Sequence, residues 1–364
     1  MNNKKYSING FNHCELYVSN AKQTAHFYHS TMGFKPIAYR GLETGSRDRV
    51  SYVLNQKKIT LVITSPLTKS TEIGAHIDTH GDGVKDVAFT VDNAESAWEV
   101  SIEKGATSVL APCRLEDHQG EAIISSIKTF GDTVHTFVDR KNYKGLFLPG
   151  FEPYNSPQIS EPTGLIHIDH IVGNQPEGEM QIVCDFYAKI FGWHRFWSVD
   201  DKDINTKYSA LRSIVMANDN EIVKMPINEP AEGLKTSQIQ EFINYYETGG
   251  IQHIALSSKN IIDTVLKMRT NGVDFLPTPK SYYQNLIERL GPIDEDVEKL
   301  AELGILVDAD ENGYMLQIFT RPLQDRPTLF FEIIQRKGSN SFGKGNFKAL
   351  FESIEREQNK RGNL

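Results

Sequence analysis

The sequence predicts an α+β fold in which two open β-barrel domains are built from four modules of strand, helix and three strands (βαβββ). Three observations support this prediction. One strand–helix–turn segment recurs in the second half, a second strand–helix segment recurs in the same way, and a stretch rich in proline and glycine separates the halves. The length of 364 residues also favours two domains over one.

The first repeat pairs residues 11–35 with residues 168–194. Each copy contains a strand with a central histidine (His13 or His170), a polar helical stretch that ends in Phe-Tyr, and a glycine followed by an aromatic residue. Because the order of these features is the same, each copy is expected to begin one module with a strand, a helix and a turn into the next strand.

The second repeat pairs residues 83–105 with residues 250–272, and the two copies align without a gap. Each copy has a strand that begins at a glycine and a helix that ends at another glycine. Asp86 in the first copy takes the place of His253 in the second. Each half therefore holds two modules, and we expect one sheet face to pack on the helices and the other to curl into a cleft.

Alternating apolar residues predict further strands of these modules. Residues 50–54 and 59–64 form a predicted hairpin in the first half. Residues 209–216 and 221–225 form the matching hairpin in the second half, with a turn rich in asparagine and aspartate between them. The two hairpins occupy equivalent places, which supports the interpretation that the halves repeat each other.

A stretch dense in proline and glycine, residues 146–164, predicts a linker. We therefore divide the chain into an N-terminal barrel domain, residues 1–155, and a C-terminal barrel domain, residues 156–364. At the end of the chain, residues 347–355 have apolar side chains at helical spacing and follow a glycine-rich segment, residues 338–345. This helix is either a lid on a glycine hinge or an ordinary packing helix.

The composition excludes several classes of protein. The net charge of −8 at pH 7 argues against general nucleic-acid binding, which favours a basic surface. No apolar run approaches the roughly 20 residues that cross a bilayer, so we expect no membrane span. The three cysteines, Cys14, Cys113 and Cys184, are far apart and form no CxxC pair, which is typical of free thiols in a reducing cytoplasm.

Three apolar runs in the second half each carry one metal-ligand side chain, namely His170, His253 and Glu332. A buried histidine or glutamate is costly unless something satisfies it. Two histidines and one carboxylate at one point form a facial triad, so these residues predict a metal site. The donor types suit Fe(II), Mn(II), Zn(II) or Ni(II) about equally, whereas open coordination positions favour Fe(II) oxygen chemistry.

The first half provides a comparison for this prediction. It carries His13 at the first ligand position, Asp86 at the second and, by our alignment, Asp139 at the third. Because it has one histidine and shorter acids, we expect it to bind no catalytic metal, and we place catalysis in residues 156–364. His13 is then a satisfied core or interface histidine.

His167 is an alternative to His170 as the first ligand. The two residues are three positions apart, so their side chains face opposite sides of a strand. The repeat aligns His170 with His13, and we therefore favour His170. By the same alternation Asp169 is expected to point away from the metal, and so is Gln252 unless its strand bends.

Aromatic and amide side chains lie close to the predicted ligands in the sequence. These residues share strand faces with one another or flank the glycine-rich segment, and they are Gln317, Phe319, Phe330, Phe342 and Phe347. Any one of the phenylalanines alone would more simply be a core residue. Together with the metal site they predict a cleft that suits a flat aromatic ring with a polar head.

The chain resembles the 4-hydroxyphenylpyruvate dioxygenase family, which has the vicinal oxygen chelate fold. The resemblance extends from Phe11 to about Glu355 and rests on segments in the same order, at residues 225–230, 236–242, 250–253, 316–322, 331–336 and 342–347. It implies a non-haem Fe(II) dioxygenase that converts 4-hydroxyphenylpyruvate and O₂ to homogentisate and CO₂ in tyrosine and phenylalanine catabolism. Family members form homodimers or tetramers, so it also implies a homo-oligomer.

The resemblance assigns roles to particular residues. It makes His170, His253 and Glu332 the iron ligands, and it places the substrate pocket at Ser213, Asn228, Gln238, Gln252, Gln317, Phe319, Phe330, Phe342 and Phe347. In this pocket Gln252, Gln317, Asn228 and Gln238 would be catalytic, Phe319 and Phe347 would stack on the ring, and Ser213, Asn228 and Gln238 would hydrogen-bond the phenol.

Two other functions are compatible with these residues. A 4-hydroxymandelate synthase would have the same ligands and fold but would oxidise the benzylic carbon of the same substrate. A non-catalytic module of this fold would instead sequester an aromatic ligand, and an intact triad argues against it. Product analysis separates the first alternative from the dioxygenase, and a metal-binding assay separates the second.

Overall fold

The computed structural model describes residues 5–157, 161–199, 210–284 and 286–363. The first half of the chain follows the order strand, helix and strands, twice over. Its elements are β1 (Ile8–Tyr17), α1 (Ala21–Met32), β2 (Lys35–Arg40), β3 (Arg49–Gln56), β4 (Ile59–Pro66), α2 (Glu72–His80), β5 (Gly83–Val91), α3 (Ala94–Glu103), β6 (Ser108–Asp117), β7 (Gly120–Lys128), β8 (Val134–Asp139) and β9 (Glu152–Pro153).

The second half repeats this order and adds helices before and after its last strands. Its elements are β10 (Leu165–Asn174), α4 (Met180–Phe191), β11 (His194–Val199), β12 (Ala210–Ala217), β13 (Lys224–Ala231), α5 (Gln238–Tyr246), β14 (Gly250–Ser258), α6 (Ile261–Thr270), α7 (Leu286–Leu290), α8 (Val297–Leu303), β15 (Leu306–Asp310), β16 (Gly313–Phe319), β17 (Phe330–Lys337) and α9 (Phe347–Arg361).

The strands form two curled sheets, each made from two modules. Within the described residues, the strand order is β6-β7-β8-β5-β1-β4-β3-β2-β9 in the first sheet and β11-β12-β13-β10-β14-β17-β16-β15 in the second. The first strands of the two modules lie side by side and antiparallel, β1 against β5 and β10 against β14. The predicted α+β fold with four βαβββ modules is therefore confirmed.

Local sequence explains where the module helices begin and end. Asn20, Asn93 and Asn260 precede α1, α3 and α6, and each side-chain oxygen accepts a hydrogen bond from a backbone N–H of the first turn. Gly33 and Gly192 end α1 and α4 with φ angles of 74° and 76°. Because that left-handed conformation favours glycine, the glycine of the repeated Gly-aromatic pair ends the helix.

The hydrophobic core lies between the two sheets and is shared by both halves. Helix α1 contacts α6, α2 contacts α5 and α3 contacts α4, so each helix of one half packs on a helix of the other. Aromatic rings of the two halves contact each other. The ring centroids of Tyr28 and Phe331 are 5.8 Å apart, and so are those of Phe89 and Trp193. This packing leaves the opposite, curled face of each sheet available for a cleft.

The structure differs from the prediction in details of the connections. Strand β13 begins at Lys224 rather than at residue 221, because Glu221 has a φ of 56° and continues the turn. Helices α2 and α5 were not predicted. Residue 209 of the predicted hairpin and residues 158–160 of the predicted linker lie outside the described residues. None of the helices within the described ranges combines the length and apolarity of a bilayer span.

Candidate metal centre

Three buried side chains converge on the curled face of the second sheet. His170 on β10, His253 on β14 and Glu332 on β17 lie on neighbouring strands, and their ligand atoms all fall within 4.8 Å of one another. Oε2 of Glu332 is 3.2 Å from Nε2 of His170 and 3.4 Å from Nε2 of His253. Two imidazole nitrogens and one carboxylate oxygen therefore face a common point, which is the donor arrangement of a facial triad.

A β-bulge precedes each histidine and turns the preceding side chain toward it. The register of β10 and β14 shifts between Ile168 and His170 and again opposite His253. The intervening residues Asp169 and Gln252 accept hydrogen bonds from the histidine Nδ1 atoms, at 2.7 Å and 3.0 Å. Because Nδ1 carries the proton in each bond, Nε2 is left as the free ligand atom.

Strict strand alternation was therefore wrong for Asp169, which was expected to point away from the metal. A bulge adds one residue to a strand and redirects the side chains around it. Gln252 was expected to face the metal only if its strand bends, and the bulge supplies this bend. His167 lies elsewhere, with its Nδ1 at 2.8 Å from the hydroxyl of Ser257.

The charges of the centre favour ionised carboxylates. Burial alone would raise the pKa of the Glu332 carboxyl, but His170 and His253 outweigh it and lower that pKa to about 2. Burial would also raise the pKa of Asp169, but His170 and Arg336 lower it. Burial opposes protonation of both histidines; it lowers the pKa of His253, whereas Glu332 and Asp169 raise that of His170. The two carboxyl groups are thus held in the deprotonated form, which is the form that a metal cation requires of a carboxylate ligand.

Several of the predicted cleft residues surround the triad. The ring of Phe330 stacks on His253 at 4.8 Å, and Phe319 lies 6.1 Å from His253. Phe342 meets the edge of His170 at 5.1 Å. The amide oxygen of Gln317 is buried and has no hydrogen-bond partner within the described residues. These rings form an apolar wall beside the three ligand atoms, and Gln317 offers a free polar group.

The remaining predicted pocket residues, Ser213, Asn228, Gln238 and Phe347, lie on β12, β13, α5 and α9. Ser213 and Asn228 are cross-strand partners on β12 and β13, and Nδ2 of Asn228 is 3.3 Å from Oδ1 of Asn174. A narrow cavity is lined by side chains from α5, β14, β17 and α9, among them Gln238, Gln252 and Phe330. Phe347, the first residue of α9, lies 6.3 Å from Trp197 on β11.

Sequence reasoning missed two residues that support the centre. Arg336 forms a two-point ion pair with Asp169, and Trp197 packs on both Phe342 and Phe347. A signal for the bulges was present, since Asp169 and Gln252 each place a hydrogen-bond acceptor directly before a ligand histidine. No comparable local signal marked Trp197.

The curled face of the first sheet lacks this donor set. Asp86 is opposite Val134, as His253 is opposite Phe330, so the register puts Thr136 in the place of Glu332. The alignment of Asp139 with Glu332 was therefore wrong by three residues. The interior is instead filled by apolar residues of β-strands and of the segment after β8, and these are Ala38, Val53, Val62, Ala88, Ala122, Val138, Tyr143, Phe147 and Leu148.

The buried carboxyl of Asp86 predicts a pH-dependent stability. Burial raises its pKa to about 7, although the backbone N–H of Thr136 donates to it at 3.0 Å. The unfolded chain loses this proton near its ordinary pKa of about 4, whereas the folded chain keeps it. Stability should therefore fall as pH rises from about 4 to about 7. Asp86→Asn should flatten this slope in urea unfolding measured at pH 5 and pH 8; an unchanged slope would contradict the assignment.

Comparison with protein-family models identifies both halves of the chain. Residues 167–324 match the Glyoxalase/Bleomycin resistance protein/Dioxygenase superfamily. Residues 2–149 match the family described as Hydroxyphenylpyruvate dioxygenase, HPPD, N-terminal. The paired curled sheets and the buried His-His-Glu group thus define the class of the protein, a non-haem metal enzyme of the glyoxalase and dioxygenase superfamily.

Individual relatives narrow the class to a family. The 4-hydroxyphenylpyruvate dioxygenase of Danio rerio is 52% identical, with 97% of this chain and 92% of the relative covered. The enzyme of the same name from Yarrowia lipolytica is 50% identical, with 98% and 94% covered. The chain belongs to the 4-hydroxyphenylpyruvate dioxygenase family.

Solved structures agree with this assignment. A triple mutant of 4-hydroxymandelate synthase from Streptomyces coelicolor is 31% identical, covers 96% of this chain and 99% of its own, and superposes with a TM-score of 0.86. A fusion of a xylose isomerase-like TIM barrel with 4-hydroxyphenylpyruvate dioxygenase is 18% identical with a TM-score of 0.74, and this chain covers 53% of it. The second likeness concerns the fold alone.

Proposed function

We propose that this protein is a non-haem Fe(II) dioxygenase that converts 4-hydroxyphenylpyruvate and O₂ to homogentisate and CO₂. The observation that carries the proposal is the buried group of His170, His253 and Glu332, in a chain about half identical to curated enzymes of that name. The reaction balances, because both oxygen atoms enter the products and the carbon lost from the side chain leaves as CO₂.

The donor atoms of the centre fit a divalent iron. Two neutral imidazoles and a carboxylate suit Fe(II) and leave coordination positions for substrate and O₂. Asp169 and Gln252 hold the two rings with Nε2 facing Glu332. When bound, Fe(II) would supply the open coordination positions at which the 2-oxo acid and O₂ react, and the substrate itself, through its oxidative decarboxylation and the oxidation of its ring, would supply the electrons that reduce O₂. The protein's part is to hold the ligands, orient the substrate ring and exclude water.

The substrate would occupy the apolar cleft beside the triad. Phe319 and Phe347 would stack on the ring, with Phe330 and Phe342 closing the sides. Ser213, Asn228 and Gln238 would hydrogen-bond the phenol, and Gln252 and Gln317 would face the reacting end. The buried Gln317 oxygen, which has no partner within the described residues, supports a polar ligand there, since buried polar groups are normally hydrogen-bonded.

We extend the proposal to the organisation of the molecule. Residues 1–155 would form a non-catalytic barrel domain, and residues 156–364 a catalytic domain whose α9 helix is the lid. The enzyme would work in the cytoplasm, in tyrosine and phenylalanine catabolism, as a homodimer or homotetramer without a nucleic-acid or membrane partner. Light scattering on the purified chain tests the oligomeric state, and a monomer would contradict that part.

The decisive experiment identifies the product. The purified protein is loaded anaerobically with Fe(II), mixed with 4-hydroxyphenylpyruvate, and then exposed to O₂. We expect homogentisate and CO₂ in equal amounts, with one O₂ consumed for each. Glu332→Gln protein, treated identically, serves as the control for iron that is not bound at the centre.

The same experiment decides between related functions. Formation of 4-hydroxymandelate would identify the chemistry of the synthase, to which the chain is also similar. Substrate binding without O₂ consumption, in protein that holds iron, would point to a binding module. Either result would replace the proposed reaction while leaving the fold assignment intact.

A further inference from the structure

Arg336 connects the metal centre to the loop that precedes the last helix. It lies at the end of β17, four residues after Glu332. Its Nε and Nη2 donate to the two carboxylate oxygens of Asp169, at 2.8 Å and 2.9 Å. Its Nη1 donates to the carbonyl oxygens of Ser339 and Ser341, at 3.2 Å and 2.7 Å. One guanidinium thus holds both a centre residue and the 338–346 loop.

The same loop reaches the first metal ligand by two routes. Oδ1 of Asp169 accepts from Arg336 and also from Nδ1 of His170. Phe342 lies under the Arg336 guanidinium, at 5.3 Å, and against the edge of the His170 ring, at 5.1 Å. The imidazole of His170 is contacted both at its Nδ1 and at its ring edge. A change in the position of the 338–346 loop therefore changes the direction in which Nε2 points.

Two aspartates on β15 fix the other side of this loop. Oδ2 of Asp310 accepts hydrogen bonds from the backbone N–H groups of Asn340 and Ser341, and Oδ2 of Asp308 accepts from that of Gly345. Charge-assisted hydrogen bonds therefore hold the loop on both sides of Phe342 in the sequence. Arg336 is the anchor that also contacts a neighbour of the metal ligand.

The first half contains an equivalent arginine–loop contact but no arginine–carboxylate pair next to the histidine. Arg140 follows Thr136 by four residues, just as Arg336 follows Glu332, and its Nη2 donates to the carbonyl oxygen of Gly145 in the next loop. Phe147 from that loop meets His13 at 5.0 Å, matching Phe342 on His170. The residue before His13 is Asn12, which accepts from Nδ1 at 2.8 Å but carries no charge.

This comparison separates what the fold needs from what the centre adds. An arginine that clamps the loop and an aromatic ring on the histidine occur in both halves, so packing alone accounts for them. The bidentate carboxylate–guanidinium pair occurs only in the half with the His-His-Glu group, among the described residues. A charged pair of that geometry adds directional rigidity that the neutral Asn12 cannot supply.

We infer that the Asp169–Arg336 pair is a positioning link that couples the seating of the 338–346 loop to the orientation of His170. Metal binding and loop closure then stabilise each other, because both require the same position of the Asp169 carboxylate. Such coupling is reciprocal, so metal binding must favour the closed loop by the same free energy by which the closed loop favours metal binding. The inference rests on the proposed metal site and goes beyond it, since Arg336 donates to none of its ligands.

The test uses Co²⁺ as an air-stable stand-in for Fe²⁺ and compares Asp169→Asn, Arg336→Gln and the double variant with the native chain. Calorimetry measures the affinity for Co²⁺, and hydrogen exchange measures the opening of residues 338–346. Each single variant should bind Co²⁺ about 10-fold more weakly, within the range of 10–100-fold for outer partners of ligands. The double variant should lose no more Co²⁺ affinity than either single variant, because each single substitution already breaks the same Asp169–Arg336 pair.

Two further results distinguish the link from a structural ion pair. In the native protein Co²⁺ should slow exchange in the loop, and in Arg336→Gln this slowing should disappear. Arg336→Lys keeps the charge but not the two-point geometry, so in this variant Co²⁺ should slow exchange in the loop only partly. The matched control Arg140→Gln should leave both Co²⁺ affinity and loop exchange unchanged.

The outcomes separate failure of the link from failure of the metal site. Arg336→Gln protein with a faster-exchanging loop but native Co²⁺ affinity would overturn the coupling, and the pair would be a structural anchor only. A native chain that binds no Co²⁺ would overturn the metal site and with it the link. Circular dichroism of each variant identifies any that do not fold, and Arg336→Lys then carries the comparison.

Discussion

Glu332→Gln should abolish metal binding and turnover together. The change keeps the size of the side chain but removes the negative charge that faces Nε2 of His170 and His253. We expect the affinity for Fe(II) to fall by more than the roughly 10–100-fold that loss of an outer partner causes. His253→Ala should have the same effect, because it removes a ligand nitrogen. Anaerobic iron titration and homogentisate formation measure the two properties.

The control for this prediction lies in the other barrel. Asp86→Asn makes the same kind of change at the position that corresponds to His253, and it should leave iron binding and turnover at native levels. Thermal unfolding of the variants checks that the fold is retained. Near-native rates in Glu332→Gln or His253→Ala protein would show that the ligand assignment is wrong.

Two matched phenylalanines should affect different properties when each is replaced by alanine, stability for Phe147 and catalysis for Phe342. Phe147 fills the interior of the first barrel and contacts His13 and Phe151. Because Phe147 is buried among apolar side chains, Phe147→Ala should leave a cavity and cost about 3–5 kcal/mol of unfolding free energy. Turnover at a temperature where the variant is folded should not change.

Phe342→Ala should impair catalysis instead. Phe342 contacts His170 and Trp197 and stands in the loop that borders the cleft. Loss of this ring should misplace both the ligand and the substrate, and misplacement on the scale of an ångström can cost on the order of 10²-fold in rate. Steady-state kinetics and urea unfolding on both variants measure the effects. Equal loss of kcat/KM in the two variants would contradict the assignment of the second barrel as the catalytic one.

The fold could be predicted because the chain repeats itself. A strand with a central histidine, a Phe-Tyr helix and a Gly-aromatic turn recur in both halves, and Gly33 and Gly192 occupy the same left-handed helix ends. A repeat in the sequence indicates a repeat in the topology, because two segments with the same pattern of buried side chains need the same kind of neighbouring strands and helices. The repeats also aligned His170 with His13 and His253 with Asp86, and the convergence of these histidines with Glu332 was inferred from the cost of burying such residues in apolar strands.

What the sequence could not provide was the register of individual strands. Strand alternation has a period of two, so one extra residue at a bulge reverses every expectation around it. That is why Asp169 was placed on the wrong side. Asp139 was matched with Glu332 in place of Thr136 because the sequence of β8 does not reveal how that strand pairs with β5. Asp169, the carboxylate partner of Arg336, and the ring partners of Trp197 come from distant segments, and local patterns carry no information about such contacts.

The bulge before His13 has a consequence for protein engineering. The first barrel already presents an oriented imidazole, with Asn12 on its Nδ1, although Asp86 and Thr136 stand at the positions that match His253 and Glu332. Asp86→His and Thr136→Glu would reproduce the remaining donors at matching register positions, and a smaller residue than Phe147 would open the space above them. An artificial bimetallic enzyme with two independently tunable reaction chambers could therefore be built on this one scaffold.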